Sequence, residues 1–157
     1  MAADNNNGSG FQFRVHEQAR EVSIAVSGVI DETSAMKPPD ARGRRVIIDA
    51  SGVQRINSLG VRAWIDLMEE LGRSTYDIVL VNLPPVLVTQ AGMISSFLGR
   101  AQVHSFMTPW VCLRCDHMEE KLHGIAEAVP ESLPCPRCRS AMELDWDREC
   151  YLAFRGG

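Results

Sequence analysis

Apolar and polar residues alternate along residues 11–18 ("FQFRVHEQ"), with Phe11, Phe13 and Val15 on one side, and along residues 21–30 through Val22, Ile24 and Val26. A period of two belongs to a half-buried strand. The three-residue joint Gln18-Ala19-Arg20 predicts that the two strands form an antiparallel hairpin. Residues 31–43 have room for about one helical turn before Pro38-Pro39, where a missing N–H and a fixed φ stop a helix. "RVIIDA" (residues 45–50) and "DIVLVN" (residues 77–82) are continuous apolar runs, the pattern of strands covered on both faces in a sheet with parallel pairs.

Between those runs Val61, Trp64, Ile65, Met68 and Leu71 recur at helical spacing, which predicts one amphipathic helix. Strand, helix and strand with short joints make a βαβ unit, whose crossover is right-handed. Residues 84–99 are expected to form a second helix, with Pro85 in its first turn, where proline is well accommodated. Met93 and Phe97, four apart, either widen the buried face of that helix or form an apolar docking patch. Residues 101–106 close the pattern as a short strand. The expected fold class is α/β: a small mixed β-sheet with helices, followed by a small metal-ribbon module. The expected boundaries are a flexible tail over 1–10, a first domain over 11–107 and a second module over 108–157, its end strand-like ("AMELDWDRECYLAF").

Charge narrows the partners. The 157 residues carry a net charge of −4, of which −1 lies in residues 1–107 and −3 in residues 108–157. Neither part offers the basic face that a phosphate backbone requires, so nucleic acid is not the expected partner. No apolar run approaches the ~20 residues that span a bilayer. The segment "MAADNNNGSG" lacks the basic and apolar regions of a signal peptide. A cytoplasmic location with reduced cysteines is therefore expected.

Cys112-x2-Cys115 and Cys135-x2-Cys138 are separated by 19 residues, a spacing that suits a tetrahedral thiolate site. Two residues between cysteines let one tight knuckle aim both sulfurs at a point, and two knuckles complete four ligands. A module this short buries little core, so a metal supplies the missing folding free energy. Structural zinc is the expected cofactor, with a rubredoxin-like iron centre as the alternative. His117 and Cys150 are read as a surface histidine and a small thiol rather than as ligands. The other histidines show no ligand spacing, and neither a phosphate loop nor a nucleophile elbow is present. No catalytic residue is assigned, and the protein is read as no enzyme.

Ser58, in "RINSLG", stands where the first helix begins. Its hydroxyl is either the helix N-cap, with Asn57 as the other candidate, or a group placed for phosphorylation, which the helix dipole tolerates at that end. "VIIDASGVQRINSLGVRAWIDLMEEL" resembles the central motif of STAS domains, the anti-sigma-factor-antagonist family. "VSGVIDETSA" resembles that family's earlier segment through Gly28, Asp31, Ser34 and Ala35. The resemblance runs from about residue 11 to residue 106.

It implies a non-enzymatic regulator that docks a protein partner, an anti-sigma factor that is also a serine kinase. The phosphoacceptor by position is Ser58, with Asp31, Asn57, Leu59, Gly60 and Arg62 as further partner-binding candidates. Asn57 and Leu59 replace the family's Asp and second Ser, and the first helix is cut short near Pro38-Pro39. A constitutive scaffold without phosphorylation is the alternative reading.

Overall fold

The computed structural model describes the backbone of Ala3–Asn6 and the chain over residues 10–156. Strand β1 (Ala3–Asn6) runs antiparallel to β2 (Gln12–Glu17). A flexible tail was expected there. These four residues instead pair with the outer edge of β2, whose backbone groups would otherwise have only water as partner. Residues 1, 2 and 7–9 of that expectation lie outside the described residues. The predicted hairpin is present: β2 pairs antiparallel with β3 (Glu21–Ile30), placing Phe13 opposite Val26 and Val15 opposite Ile24. All four are buried.

No helical turn follows β3. The Asp31 carboxylate accepts the Thr33 N–H at 2.9 Å, and the Asp31 N–H donates to the Ser34 hydroxyl, also at 2.9 Å. These local bonds take the place of helical ones. Strand β4 (Arg45–Ile56) then runs parallel to β3 along its whole length, past two β-bulges. β4 thus continues through Ser51, Gly52 and Val53, beyond the apolar run of residues 45–50. Helix α1 (Ser58–Ser74) returns the chain to β5 (Ile78–Val81), which pairs with β4 only over Val46–Asp49. Trp64, Leu67, Met68 and Leu71 bury the inner face of α1, with Val61 and Ile65 half-buried beside them.

Helix α2 (Pro85–Met93) is shorter than expected. The backbone turns extended at Ile94, and Phe97 swings under Trp64, with ring centroids 5.6 Å apart. The Trp64 indole N–H donates to the Phe97 carbonyl at 3.1 Å. Burying that ring outweighs continuing a helix weakened by Gly92. Met93 and Phe97 therefore part company: Met93 is 70% exposed and Phe97 is core.

The expected strand at 101–106 is two strands, β6 (Gln102–Val103) at the edge of a six-stranded sheet ordered β1-β2-β3-β4-β5-β6, and β7 (Ser105–Cys112). β7 passes straight through Thr108-Pro109 into a four-stranded sheet. There it lies between β8 (Met118–Gly124) and β10 (Ala141–Leu144), with β9 (Leu133–Pro134) outermost. Only Ala141–Leu144 of the strand-like C-terminal segment is strand. Asp147 accepts the Cys150 N–H and starts helix α3 (Arg148–Leu152), which a 3-10 turn (Ala153–Arg155) follows.

The two sheets share one core. Leu83 bridges Phe106 in parallel, the Tyr151 hydroxyl donates to the Met107 carbonyl at 2.5 Å, and α3 packs on α2. Phe106, Thr108, Trp110 and Cys112 are all fully buried along one side of β7.

Candidate functional site

Two constellations hold the residues singled out from the sequence. The first lies where β3 and β4 end together, the Asn57 N–H donating to the Ile30 carbonyl at 3.1 Å. Asn57 caps α1: its Oδ1 accepts the Gly60 N–H at 2.7 Å, while its Nδ2 donates to Glu32 Oε2 at 2.9 Å. Ser58 is therefore not the cap. It is the first helical residue, exposed, and its hydroxyl has no hydrogen-bond partner among the described residues.

The helix carries no acidic residue in its first turn, so its positive end is left to whatever approaches. Leu59 is 55% exposed next to Ser58, and Arg62 is exposed one turn on. Gly60 is buried for a steric reason: a Cβ there would lie 2.1 Å from the Ile30 carbonyl oxygen. Asp31 faces inward to its own turn, accepting from both the amide and the hydroxyl of Thr33. The Thr33 hydroxyl and amide hold its carboxyl below the ordinary range.

Glu32 is the member that sequence reasoning missed. It brings a carboxylate to the residue that stands in place of the family's acid. The two positions are 25 residues apart, and only the tertiary fold joins them.

The second constellation is the cysteine cluster. The Sγ atoms of Cys112, Cys115, Cys135 and Cys138 lie within 4.8 Å of one another, close enough to hold a metal ion. Two of the separations are 3.4 Å (Cys112 to Cys138) and 3.6 Å (Cys115 to Cys135). A tetrahedron with 2.3 Å metal–sulfur bonds has edges of about 3.8 Å, so the cage needs only small adjustment.

Each knuckle is closed the same way. Asp116 donates to the Cys112 carbonyl and Arg139 to the Cys135 carbonyl, both at 2.9 Å, and both donors adopt positive φ (56° and 62°). The Ser140 hydroxyl and amide draw the Cys138 thiol down to about 6. For Cys135 burial opposes the thiolate, but the amides of Cys138 and Arg137 more than offset it. At Cys115 the His117 amide favours the anion, yet burial and the three neighbouring sulfurs push the thiol up to about 12. Sulfurs this close cannot all ionise without a cation among them. The cage could hold a thiophilic ion.

Behind it lies a buried polar chain that sequence patterns do not reveal. Trp110 Nε1 donates to the Thr108 hydroxyl at 2.7 Å, and that oxygen sits 2.8 Å from His123 Nε2.

The family model for the STAS domain matches residues 9–105, more than half of the chain. The protein belongs to the STAS-domain family. The matched span covers β2 through β6 and both Ser58 and Glu32, and it ends where β7 begins, so the cysteine module lies beyond the STAS match. Comparison with curated proteins and with solved structures finds no match. Among the described residues no helix of the STAS domain or of the module is long and apolar enough to cross a membrane.

Proposed function

We propose that this protein is a non-enzymatic regulator of the anti-sigma-factor-antagonist type. Its STAS domain (residues 11–107) docks a protein partner through the N-terminus of α1, and Ser58 is the residue that the partner, an anti-sigma-type serine kinase, phosphorylates. The observation that carries this reading is the division of labour at the helix start. Asn57 does the capping, which leaves the Ser58 hydroxyl exposed and unbonded beside the exposed Leu59. A phosphate on Ser58 would be tolerated at the positive helix end. A partner surface packed over it would have to desolvate about two negative charges, with Glu32 adding like charge nearby. Phosphorylation therefore weakens docking.

The module (residues 108–157) is a structural zinc ribbon on the same reading. Zinc would be held by Cys112, Cys115, Cys135 and Cys138, where it neutralises the thiolates and ties the two knuckles together. The acidic balance of that module favours a protein over a nucleic acid as its contact, and reduced thiols suit the cytoplasm.

The test is capture from native lysate with Ser58→Ala and Ser58→Glu baits, alongside the mass of the native protein. A kinase-fold partner held by the first and lost by the second, with a phosphate on the native chain, supports the proposal. Equal capture by both baits and an unmodified chain refute the switch. The protein would then be a constitutive adaptor, a reading that the uncharged Asn57 favours.

A further inference from the structure

β4 is twelve residues long, but its neighbour β5 covers only Val46–Asp49. The reason lies just beyond β5. Asn82 adopts φ 55°, gives its amide N–H to the Ser105 hydroxyl at 2.8 Å and turns the chain towards Pro84 and α2. The outer edge of β4 from Ala50 onward is therefore left without a strand among the described residues, although its other edge is paired with β3 up to Ile56. The Ser51 N–H is taken by Asp49 Oδ1 at 2.9 Å; the other amides and carbonyls on that edge form no ladder. An open strand edge is a template for an added strand.

This edge is not flat against solvent. Residues 51–54, residues 84–86 and Glu120 of β8 together line a cleft of about 520 Å³. Four strand residues span about 13 Å, the length of a short extended peptide. Pro84, Pro85 and Val86 supply an apolar wall. Glu120 is the one charged side chain lining the cleft, and no cation pairs with it among the described residues.

We infer that this cleft binds an extended, basic peptide segment of a protein partner, which adds a strand to the open edge of β4 at residues 51–54 and sets a Lys or Arg against Glu120. The inference stands apart from the Ser58 reading, since neither Ser58 nor its phosphate takes part. Backbone pairing supplies the affinity and Glu120 the preference for a basic residue. A second copy of this chain fits less well, because the −4 net charge opposes self-association.

The experiment titrates the full zinc-loaded chain with the peptide Ac-Thr-Val-Lys-Val-Thr-Val-NH2 and follows backbone amide shifts. Three controls run in parallel: the same peptide with Glu for Lys, the same peptide with alternate amides N-methylated, and the Glu120→Lys protein. Saturable shifts confined to residues 50–56 and to Val86 are expected, lost with the N-methylated probe. Binding of the Lys peptide should weaken about fivefold in Glu120→Lys, the scale of one partly screened ion pair. That variant should in turn favour the Glu peptide. Absence of saturable binding, shifts elsewhere, or indifference to N-methylation or to charge each overturns the inference. Concentration-dependent shifts of the same residues without peptide would overturn it in favour of a second copy. Because Glu120 is exposed, unchanged amide dispersion in the variant separates loss of binding from loss of fold.

Discussion

Replacing Gly60 by alanine tests the claim that α1 is wedged against the end of β3. Inside a helix alanine is better than glycine by about 0.8–1 kcal/mol, so propensity alone predicts a gain. The structure opposes it. A Cβ at position 60 would lie 2.1 Å from the Ile30 oxygen, 2.6 Å from its carbon and 3.1 Å from the Asp31 nitrogen. All three are backbone atoms that no rotamer change can move aside. Ordinary contact is about 3.5 Å, so the helix start must retreat by roughly 1.4 Å from a packed strand end. Overpacking of this kind costs about 1–3 kcal/mol and occasionally more, and the retreat also stretches the Asn57–Gly60 cap. Once the propensity gain is subtracted, a net loss of about 1–2 kcal/mol is expected.

Gly72 on the same helix is the internal control. A Cβ there meets only the Arg100 side chain, at 3.5 Å, so Gly72→Ala should gain about 0.5–1 kcal/mol. Urea unfolding followed by circular dichroism should separate the two variants by about 2 kcal/mol at equal slope. If Gly60→Ala matches Gly72→Ala, the close approach of helix and strand is wrong, and so is the reason given for a glycine in this motif.

Asn57→Ala should cost about 1 kcal/mol through the lost cap, while Ser58→Ala should leave urea stability within ~0.5 kcal/mol; the reverse order would restore Ser58 as the cap. Thr108→Val removes the shared partner of Trp110 Nε1 and His123 Nε2 and should cost about 2–6 kcal/mol, since each of the two orphaned buried groups carries about 1–3, read as a lower melting temperature. Metal analysis of protein purified without added metal should find zinc bound by the Cys112, Cys115, Cys135 and Cys138 set, released by chelator or by Cys138→Ser; a reddish iron chromophore would overturn the assignment. The depressed Asp31 carboxyl stabilises the fold at pH values above its unfolded value of 3.8, and that contribution is lost as pH falls through its lower folded value. Asp31→Asn should flatten the acid side of the stability–pH curve over that interval, and an unchanged curve would mean the Thr33 bonds do not persist in solution.

Much of the STAS sheet was legible because its strands and α1 carry strict periods. Phe13, Val15 and Ile24 declare one face, and Trp64, Met68 and Leu71 one stripe. The cysteine cage was legible because two tight knuckles are a local constraint on spacing. What escaped were features decided at long range. The end of α2 depends on Phe97 finding Trp64, which no local propensity reports. The cap fell to Asn57 because its amide serves Gly60 and Glu32 at once. The split of residues 101–112 into β6 and β7 depends on Leu83, which is distant in sequence. Glu120 and residues 51–54 meet only because Asn82 turns the chain.

β7 also bears on how the chain is made. Synthesis runs from the N-terminus, so the six-stranded sheet is laid down before Phe106 arrives to bridge Leu83 and before Tyr151 covers the Met107 carbonyl. A product that stopped near residue 104 would contain nearly the whole family motif, yet it would display the apolar seam that β7 and α3 normally close. Exposed apolar seams and bare strand edges invite aggregation and proteolysis. A chain lacking β7 and α3 would leave that seam, which Phe106 and Tyr151 otherwise close, exposed to solvent.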